Sequence, residues 1–181
     1  MENQQTPFQA GLNAGVILGV VSLLITFVTY FIEPSAIVAG TNQFIQFGLA
    51  LAILIYLGIQ YRKSIGGFME FGPAYNFSFI ALLVSIFLGT LGLQLLYNVI
   101  DPSLPEVLIE AQLESVVSMT ERFAGEGALT SAQLDEMRQG IESGYTLTGQ
   151  LKAVGIASIV YAILALIVGA IIKKRDKSLD Y

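Results

Sequence analysis

The carboxylates with the most regular spacing in this sequence are Glu106, Glu110 and Glu114, which recur every four residues. That spacing places them on one face of an α-helix, where they mildly repel one another. Such a stripe is either a cation-binding surface or, as we favour, a solvated face. The 181 residues include no His and no Cys, which excludes the usual zinc ligands, a disulfide framework, a thiol nucleophile and a histidine general base. We therefore expect no metal site.

Motifs for other chemistry are also missing from the sequence. It contains no nucleophile elbow, no phosphate-binding loop and no dinucleotide fingerprint, and the pair Gly66-Gly67 alone is too weak a signal for a phosphate loop. The net charge of −5 provides no basic surface for nucleic acid. We expect a protein that is not an enzyme, has no catalytic residue, needs no cofactor and has no nucleic-acid partner.

Two amide side chains, Gln94 and Asn98, lie at i,i+4 spacing near the end of an uncharged apolar stretch. Other polar residues of these stretches that could line a path are Asn13, Gln46, Asn76, Ser78, Ser85, Thr90 and Ser158. We favour hydrogen bonding between helices as their role. The alternative is a small polar pore or ligand crevice, in which Gln94 and Asn98 form a possible polar path.

Two basic residues, Arg62 and Lys63, directly follow another apolar stretch. They are positioned for possible contact with lipid headgroups, although an effect on membrane orientation already accounts for them.

Glycine recurs every fourth residue at Gly11, Gly15 and Gly19. This spacing removes side chains from one helix face, so that another helix can approach closely. Ser85 and Gly89 repeat the small-residue spacing later in the chain. We predict that these five residues pack helices within the molecule, with self-association or contact with another membrane protein as the alternative.

The elements that must position these side chains are four stretches without a charged residue, at 3–32, 34–61, 71–100 and 153–172. Each reaches the roughly 20 residues that a helix needs to cross a bilayer. With 54% hydrophobic and 13% charged residues and a mean hydropathy of +0.69, the chain has too little polar surface to cover four such helices in water. The sequence predicts an all-α membrane protein, a single membrane domain over residues 1–181. The four transmembrane helices lie at about 11–32, 43–61, 74–100 and 151–172, with an extracytoplasmic helical hairpin at about 103–147 between the third and fourth.

The distribution of basic residues predicts the orientation. Basic clusters follow the second span, at Arg62 and Lys63, and the fourth span, at Lys173, Lys174, Arg175 and Lys177. An even number of spans puts both clusters on one side, which the positive-inside rule makes cytoplasmic. Both termini are then cytoplasmic. A cleaved signal peptide is disfavoured, because only Glu2 is charged before Glu33.

The segment between the third and fourth spans has the signals of two helices. Capping boxes, Ser103 with Glu106 and Thr130 with Gln133, predict where they begin, and Gly125-Glu126-Gly127 separates them. Apolar residues recur at helical spacing along both, at Ile109, Leu113, Val116, Val117 and Phe123 and at Leu134, Met137, Ile141 and Tyr145. We expect these stripes to pack on each other, with contact with the membrane surface as the alternative.

Short motifs occur in a characteristic order along the chain: Tyr61-Arg62, Gly66-Gly67, Phe71-Gly72 followed by Ala74 and Phe77, and Asp101-Pro102 at the start of the acidic insertion. Together with the glycine-rich first span, they resemble the domain-of-unknown-function 4199 family (DUF4199) over nearly the whole chain. The resemblance implies a four-span inner-membrane protein of a Gram-negative bacterium. It implies no activity and no catalytic or ligand-binding residue.

The leading functional hypothesis is a non-catalytic membrane subunit or scaffold that packs with partner membrane proteins or with itself inside the lipid bilayer. Two alternatives remain: a small transporter or channel component, and an accessory protein for lipid-linked envelope chemistry that uses Arg62 and Lys63.

Overall fold

The computed structural model describes residues 5–125 and 127–175, and this part of the chain is helical, without strands. Its α-helices are α1 (Pro7–Ile32), α2 (Gly40–Ser64), α3 (Phe71–Leu95), α4 (Leu104–Ala124), α5 (Ser131–Tyr145) and α6 (Leu147–Ile172). A 3-10 turn, Pro34–Ile37, joins α1 to α2, and a π-helical turn, Leu96–Ile100, extends α3. Glu126, in the predicted glycine break, and Lys177, in the predicted basic cluster, lie outside the described residues.

Four helices, α1, α2, α6 and α3 with its π-helical turn, are long and apolar enough to cross a membrane. They begin three or four residues before the predicted spans, because their first turns contain polar and small residues that a hydropathy pattern does not count. At the start of α1, for example, the Thr6 hydroxyl accepts a hydrogen bond from the Gln9 amide, and the Gln9 side chain accepts one from the Thr6 amide. This capping box, with Pro7 in the first turn, starts the helix before its apolar run.

The closest contact in the bundle is between α1 and α3. A Cβ added at Gly11 would lie 2.8 Å from the carbonyl oxygen of Phe77, and one added at Gly15 would lie 2.6 Å from Cβ of Val84. At Gly19 the nearest atoms belong to Leu88. The absence of side chains on this face of α1 therefore lets the two helices approach closely along three turns.

Apolar packing is most complete at the end of the bundle where α2 joins α3, called here the α2–α3 end. Phe77 of α3 is 1% exposed, and its ring stacks on that of Tyr61 with centroids 5.5 Å apart. α2 and α6 bury residues only near this end, namely Leu54, Gly58 and Tyr61 in α2 and Ala165, Val168, Gly169 and Ile172 in α6. All four spanning helices thus share one core in this half.

The α2–α3 end is also closed by polar contacts. The backbone of Met69 pairs with that of Lys174 through two hydrogen bonds of 2.9 and 2.8 Å, which tie the α2–α3 loop to the chain beyond α6. Lys174 and Lys173 lie over the rings of Phe68 and Phe71. Gly66 and Gly67 both have positive φ, a backbone conformation that glycine adopts without steric cost.

The α4–α5 segment (Leu104–Tyr145) packs over the opposite end of the bundle, called here the α4–α5 end. A small apolar cluster of Leu96, Leu104 and Leu108, with Tyr30 and Tyr97 against it, joins the segment to the bundle. Within the segment, Arg138 of α5 forms ion pairs with three glutamates, Glu106, Glu110 and Glu142.

Two expectations about this segment differ from the structure. Ser103 does not cap α4; its amide and hydroxyl donate instead to the Asp101 carboxylate, and this local turn satisfies the serine before the helix begins. The apolar stripe of α4 is also only partly covered, because α5 contributes no buried residue and Phe123 is 84% exposed. The second capping box, Thr130 with Gln133, is present as predicted.

Candidate functional site: a crevice beneath the α4–α5 segment

A crevice of about 620 Å³ lies in the half of the bundle next to the α4–α5 segment. Its floor consists of Leu18, Leu51, Leu82 and Leu164, which belong to or pack on the main core. Its roof is formed by α4 and α5, through Gln112, Ile141, Gly144 and Tyr145. The volume falls within the roughly 300–1,000 Å³ typical of ligand pockets.

The crevice exists because α2 and α6 do not join the core in this half. Neither helix has a buried residue on the α4–α5 side of Leu54 or Ala165. Large apolar side chains there are exposed instead: Phe44 is 79% exposed on α2 and Ile159 is 67% exposed on α6. The four helices therefore pack tightly at one end and leave a space between them at the other.

The lining is apolar at the floor and increasingly polar towards the roof, and none of the lining residues is charged. The polar lining residues are Ser22, Thr26, Gln43, Gln46, Ser85, Thr90, Tyr97, Gln112, Tyr145, Gln150 and Tyr161. A molecule in the crevice would therefore meet hydrocarbon at one end, and hydroxyl and amide groups at the other.

Several of these polar groups have no hydrogen-bond partner among residues 5–125 and 127–175. Among them are the side chains of Ser22, Thr26, Gln43, Gln46 and Thr90. By contrast, Ser85 donates to the carbonyl of Leu82 in its own helix. An occupant that displaced water from these groups without bonding to them would lose about 1–3 kcal/mol for each group, so an occupant that bonds to them is favoured.

Other polar groups form a network where the roof meets the bundle. The Gln94 amide donates to the Gln150 side chain, and Asn98 donates to the Gln94 side-chain oxygen at 2.7 Å. Gln112 donates to the Tyr145 hydroxyl at 2.7 Å, and burial together with the neighbouring Tyr97 raises the pKa of Tyr145. Of the predicted polar path, Gln94 and Asn98 are thus adjacent to the crevice, behind Gln150, rather than part of its lining.

Asp101 connects this end of α3 to α1 and α4. It accepts hydrogen bonds from the hydroxyl and amide of Ser103 and, at 3.0 Å, from the Tyr30 hydroxyl. These bonds, those from Ser103 above all, hold the pKa of the Asp101 carboxyl below its ordinary value. The Asp101-Pro102 motif therefore links α3 to α1 and α4 at the edge of the roof.

The remaining predicted site residues are distributed over the bundle. Ser85 and Gly89 line the crevice, and no atom lies within 4 Å of a Cβ added at Gly89, so its neighbourhood is open. Arg62 donates from Nη1 to the carbonyl of Ile172 at 2.7 Å, at the C-terminus of α6, while its buried Nε has no partner among the described residues. Lys63 is exposed.

The glutamate stripe of α4 is divided between two environments. All three are exposed, but Glu106 and Glu110 form ion pairs with Arg138, whereas Glu114 forms none with a described residue. In the described part of the chain, no group of three or more His, Cys, Asp or Glu side chains could hold a metal ion. The glutamates therefore bind a neighbouring helix rather than forming a cluster of their own.

A second surface lies on α4 beyond the crevice, the α4 apolar stripe (Val116, Met119 and Phe123). These side chains are 40%, 60% and 84% exposed. They lie on one face because they are three and four residues apart. The sequence had assigned Val116 and Phe123 to packing against α5, but that helix does not cover them.

Sequence reasoning named Gln46, Ser85 and Thr90 but missed Gln43 and Gln150 as lining residues. Both are near helix starts, where polar side chains are ordinary, so their types carried no signal. The roof was missed as well, because no residue spacing in the sequence indicates that helices outside the spans cover the end of the bundle.

Of the comparisons with known proteins, one found a match. Neither a curated protein nor a solved structure matches the chain. A family model, described as a protein of unknown function (DUF4199), matches residues 13–174 and so includes most of α1, all of α2, α3 and α6, the crevice and its roof. The chain belongs to the DUF4199 family.

Proposed function

We propose that this chain is a non-catalytic integral membrane protein, a subunit or scaffold that docks a partner protein on its α4–α5 segment. The observation that carries the proposal is the α4 apolar stripe, which projects from a helix outside the four candidate spans. Exposing such a stripe to water is unfavourable, and fully burying a Phe or Met side chain contributes roughly 1.5–3 kcal/mol of binding free energy. A partner that buried Met119 and Phe123 together would gain from both.

Charge indicates what kind of partner is favoured. Residues 104–145 contain eight acidic side chains against Arg122 and Arg138. A net negative segment attracts a basic protein surface and is repelled by anionic lipid headgroups. The partner we expect has an apolar patch within a basic surface, and the bilayer surface is the less favourable occupant.

Orientation is part of the same proposal. The α2–α3 end has a basic cluster of Arg62, Lys63, Lys173, Lys174 and Arg175, whereas the α4–α5 segment is acidic. The positive-inside rule then makes the α2–α3 end cytoplasmic. We place the protein in the bacterial inner membrane with both termini in the cytoplasm and the α4–α5 segment outside.

Site-specific photo-crosslinking in native membranes tests the docking role. A photoreactive residue at Met119 or Phe123 should give one distinct adduct with a partner protein. Glu114 is the matched control, because it is exposed on α4 but about 140° around the helix from Met119. Phe123→Glu should abolish the Met119 adduct. Adducts with lipid alone, or equal adducts from Glu114, would contradict the proposal.

A transporter or channel is less well supported. The crevice ends at its leucine floor, and beyond it Phe77, Leu54 and Ile172 are fully buried. A path for a polar solute would require these side chains to separate. Gln94→Leu and Asn98→Leu in a liposome flux assay address this alternative directly.

A further inference from the structure

We propose that the crevice is a binding site for a membrane lipid drawn from the leaflet on the α4–α5 side. The hydrocarbon chain of the lipid lies on the leucine floor, and its headgroup, which carries no net negative charge, bonds to the amides and hydroxyls beneath the roof. This site is separate from the α4 apolar stripe, so the inference goes beyond the docking role and does not depend on it.

The depth of the crevice matches one leaflet. From Gln43 to Leu51, both in its lining, α2 rises about 12 Å. Half of the hydrocarbon thickness of a bilayer is about 15 Å. The apolar floor therefore lies near the middle of the membrane, where a lipid chain ends, and the polar lining lies near the headgroup region.

The same depth argues against a spanning helix as the occupant. A transmembrane partner would have to continue past the floor, but there Leu18 and Leu82 belong to the core that all four helices share. A helix with its side chains is also about 10–12 Å wide. An occupant that enters from one side and ends halfway suits this space better, and a lipid chain has that form.

The unpaired polar groups define the headgroup chemistry. Gln43 and Gln46 each offer an amide that can donate and accept, and Thr90 offers a hydroxyl that can do both. Such groups pair with the hydroxyl, ester or amine groups of a headgroup. Water could satisfy them as well, but water would not fill the apolar lower part of the crevice.

The charge around the site selects against anionic lipids. No lining residue is charged, so a headgroup with a net negative charge would have no counter-ion within the crevice. The roof belongs to a segment in which acidic residues outnumber basic ones. A zwitterionic headgroup carries its own counter-ion, and an uncharged lipid needs none.

Native mass spectrometry of the full chain with defined lipids tests the proposal. The probes are phosphatidylethanolamine, diacylglycerol and phosphatidylglycerol with identical acyl chains. We expect the first two to be retained about tenfold more strongly than the anionic lipid. Equal retention of all three would overturn the proposal, because lipids bound only around the outside of the bundle would not discriminate in this way.

A matched pair of variants locates the site. Ala50 lines the crevice on α2, whereas Ala52 is exposed on the same helix and does not line it. Ala50→Phe should reduce retention of phosphatidylethanolamine about tenfold, and Ala52→Phe should leave it unchanged. Ala157→Phe fills the crevice from α6 and repeats the test if Ala50→Phe does not fold.

A second pair of variants tests the contribution of the polar lining to lipid binding. Gln46→Leu should reduce retention of phosphatidylethanolamine, whereas Gln60→Leu, at an exposed position on α2 outside the crevice, should not. Equal effects of the crevice variants and their controls would overturn the site. So would a polypeptide cross-linked from Phe47, which is in the lining. Loss of the Met119 adduct bears on the docking role alone, so the two proposals can fail separately.

Discussion

Replacing Gly15 by alanine tests whether the close approach of α1 and α3 holds the bundle together. The new Cβ would lie 2.6 Å from Cβ of Val84 and 2.7 Å from the carbonyl oxygen of Ala81. Ordinary contact begins near 3.4 Å, so Val84 must retreat by about 0.8 Å. A backbone carbonyl cannot rotate away, so the two helices have to separate.

The expected magnitude follows from two opposing effects. Overpacking of this kind costs about 1–3 kcal/mol. Alanine gains about 1 kcal/mol over glycine in a helix interior. Gly15→Ala should therefore change the free energy of unfolding by between roughly zero and 2 kcal/mol, in the destabilising direction. Gly89→Ala meets no atom within 4 Å and should be stabilised by about 1 kcal/mol.

The assay is reversible unfolding in mixed micelles, followed by helical circular dichroism, with both variants beside the unmodified chain. We expect Gly15→Ala to be less stable than Gly89→Ala by about 1–3 kcal/mol, which corresponds to about 5- to 150-fold in the folding equilibrium. Equal stability of the two variants would show that the glycine ladder is not a point of close packing, and the reasoning would fail.

Three further perturbations address the α4–α5 end. Arg138→Gln removes the ion pairs between α4 and α5 and should speed hydrogen exchange in both helices, whereas Arg122→Gln, which removes none of those pairs, should have little effect. The pKa of the Asp101 carboxyl is lowered in the folded state, so the ionised carboxylate stabilises the fold. This stabilisation is complete above the ordinary pKa of 3.8 and is lost as pH falls through the lowered value. Tyr30→Phe should weaken this pH dependence in an acid titration of thermal stability. Gln94→Leu breaks its hydrogen bond to α6 and should lower unfolding stability by about 1 kcal/mol, again measured in mixed micelles.

The four spanning helices were predictable because each is a long charge-free run, and no tertiary contact is needed to recognise such a run. The glycine spacing at Gly11, Gly15 and Gly19 was equally visible, since it is a property of one helix. Its partner was not, because many helix faces accept a glycine ladder. Only the packed structure places these glycines against Phe77, Val84 and Leu88.

Of the local sequence signals outside the spans, some are confirmed by the structure and others are not. Thr130 with Gln133 forms the predicted capping box, but Ser103 turns to Asp101 instead, because an adjacent carboxylate competes for its hydroxyl. The apolar pattern of α4 was read as a packing face. Phe123 remains exposed because covering it depends on the angle and distance of α5, which periodicity does not encode.

Local composition alone determined that this chain forms four apolar helices long enough for a bilayer, with basic and acidic segments at their ends. The crevice was decided only by tertiary structure. It lies where α2 and α6 no longer contribute buried residues to the shared core, and where Gln112 of α4 and Tyr145 of α5 cover the bundle. Helix formation depends on neighbours along the chain, whereas a cavity depends on where packing stops, and that is settled by all the helices together.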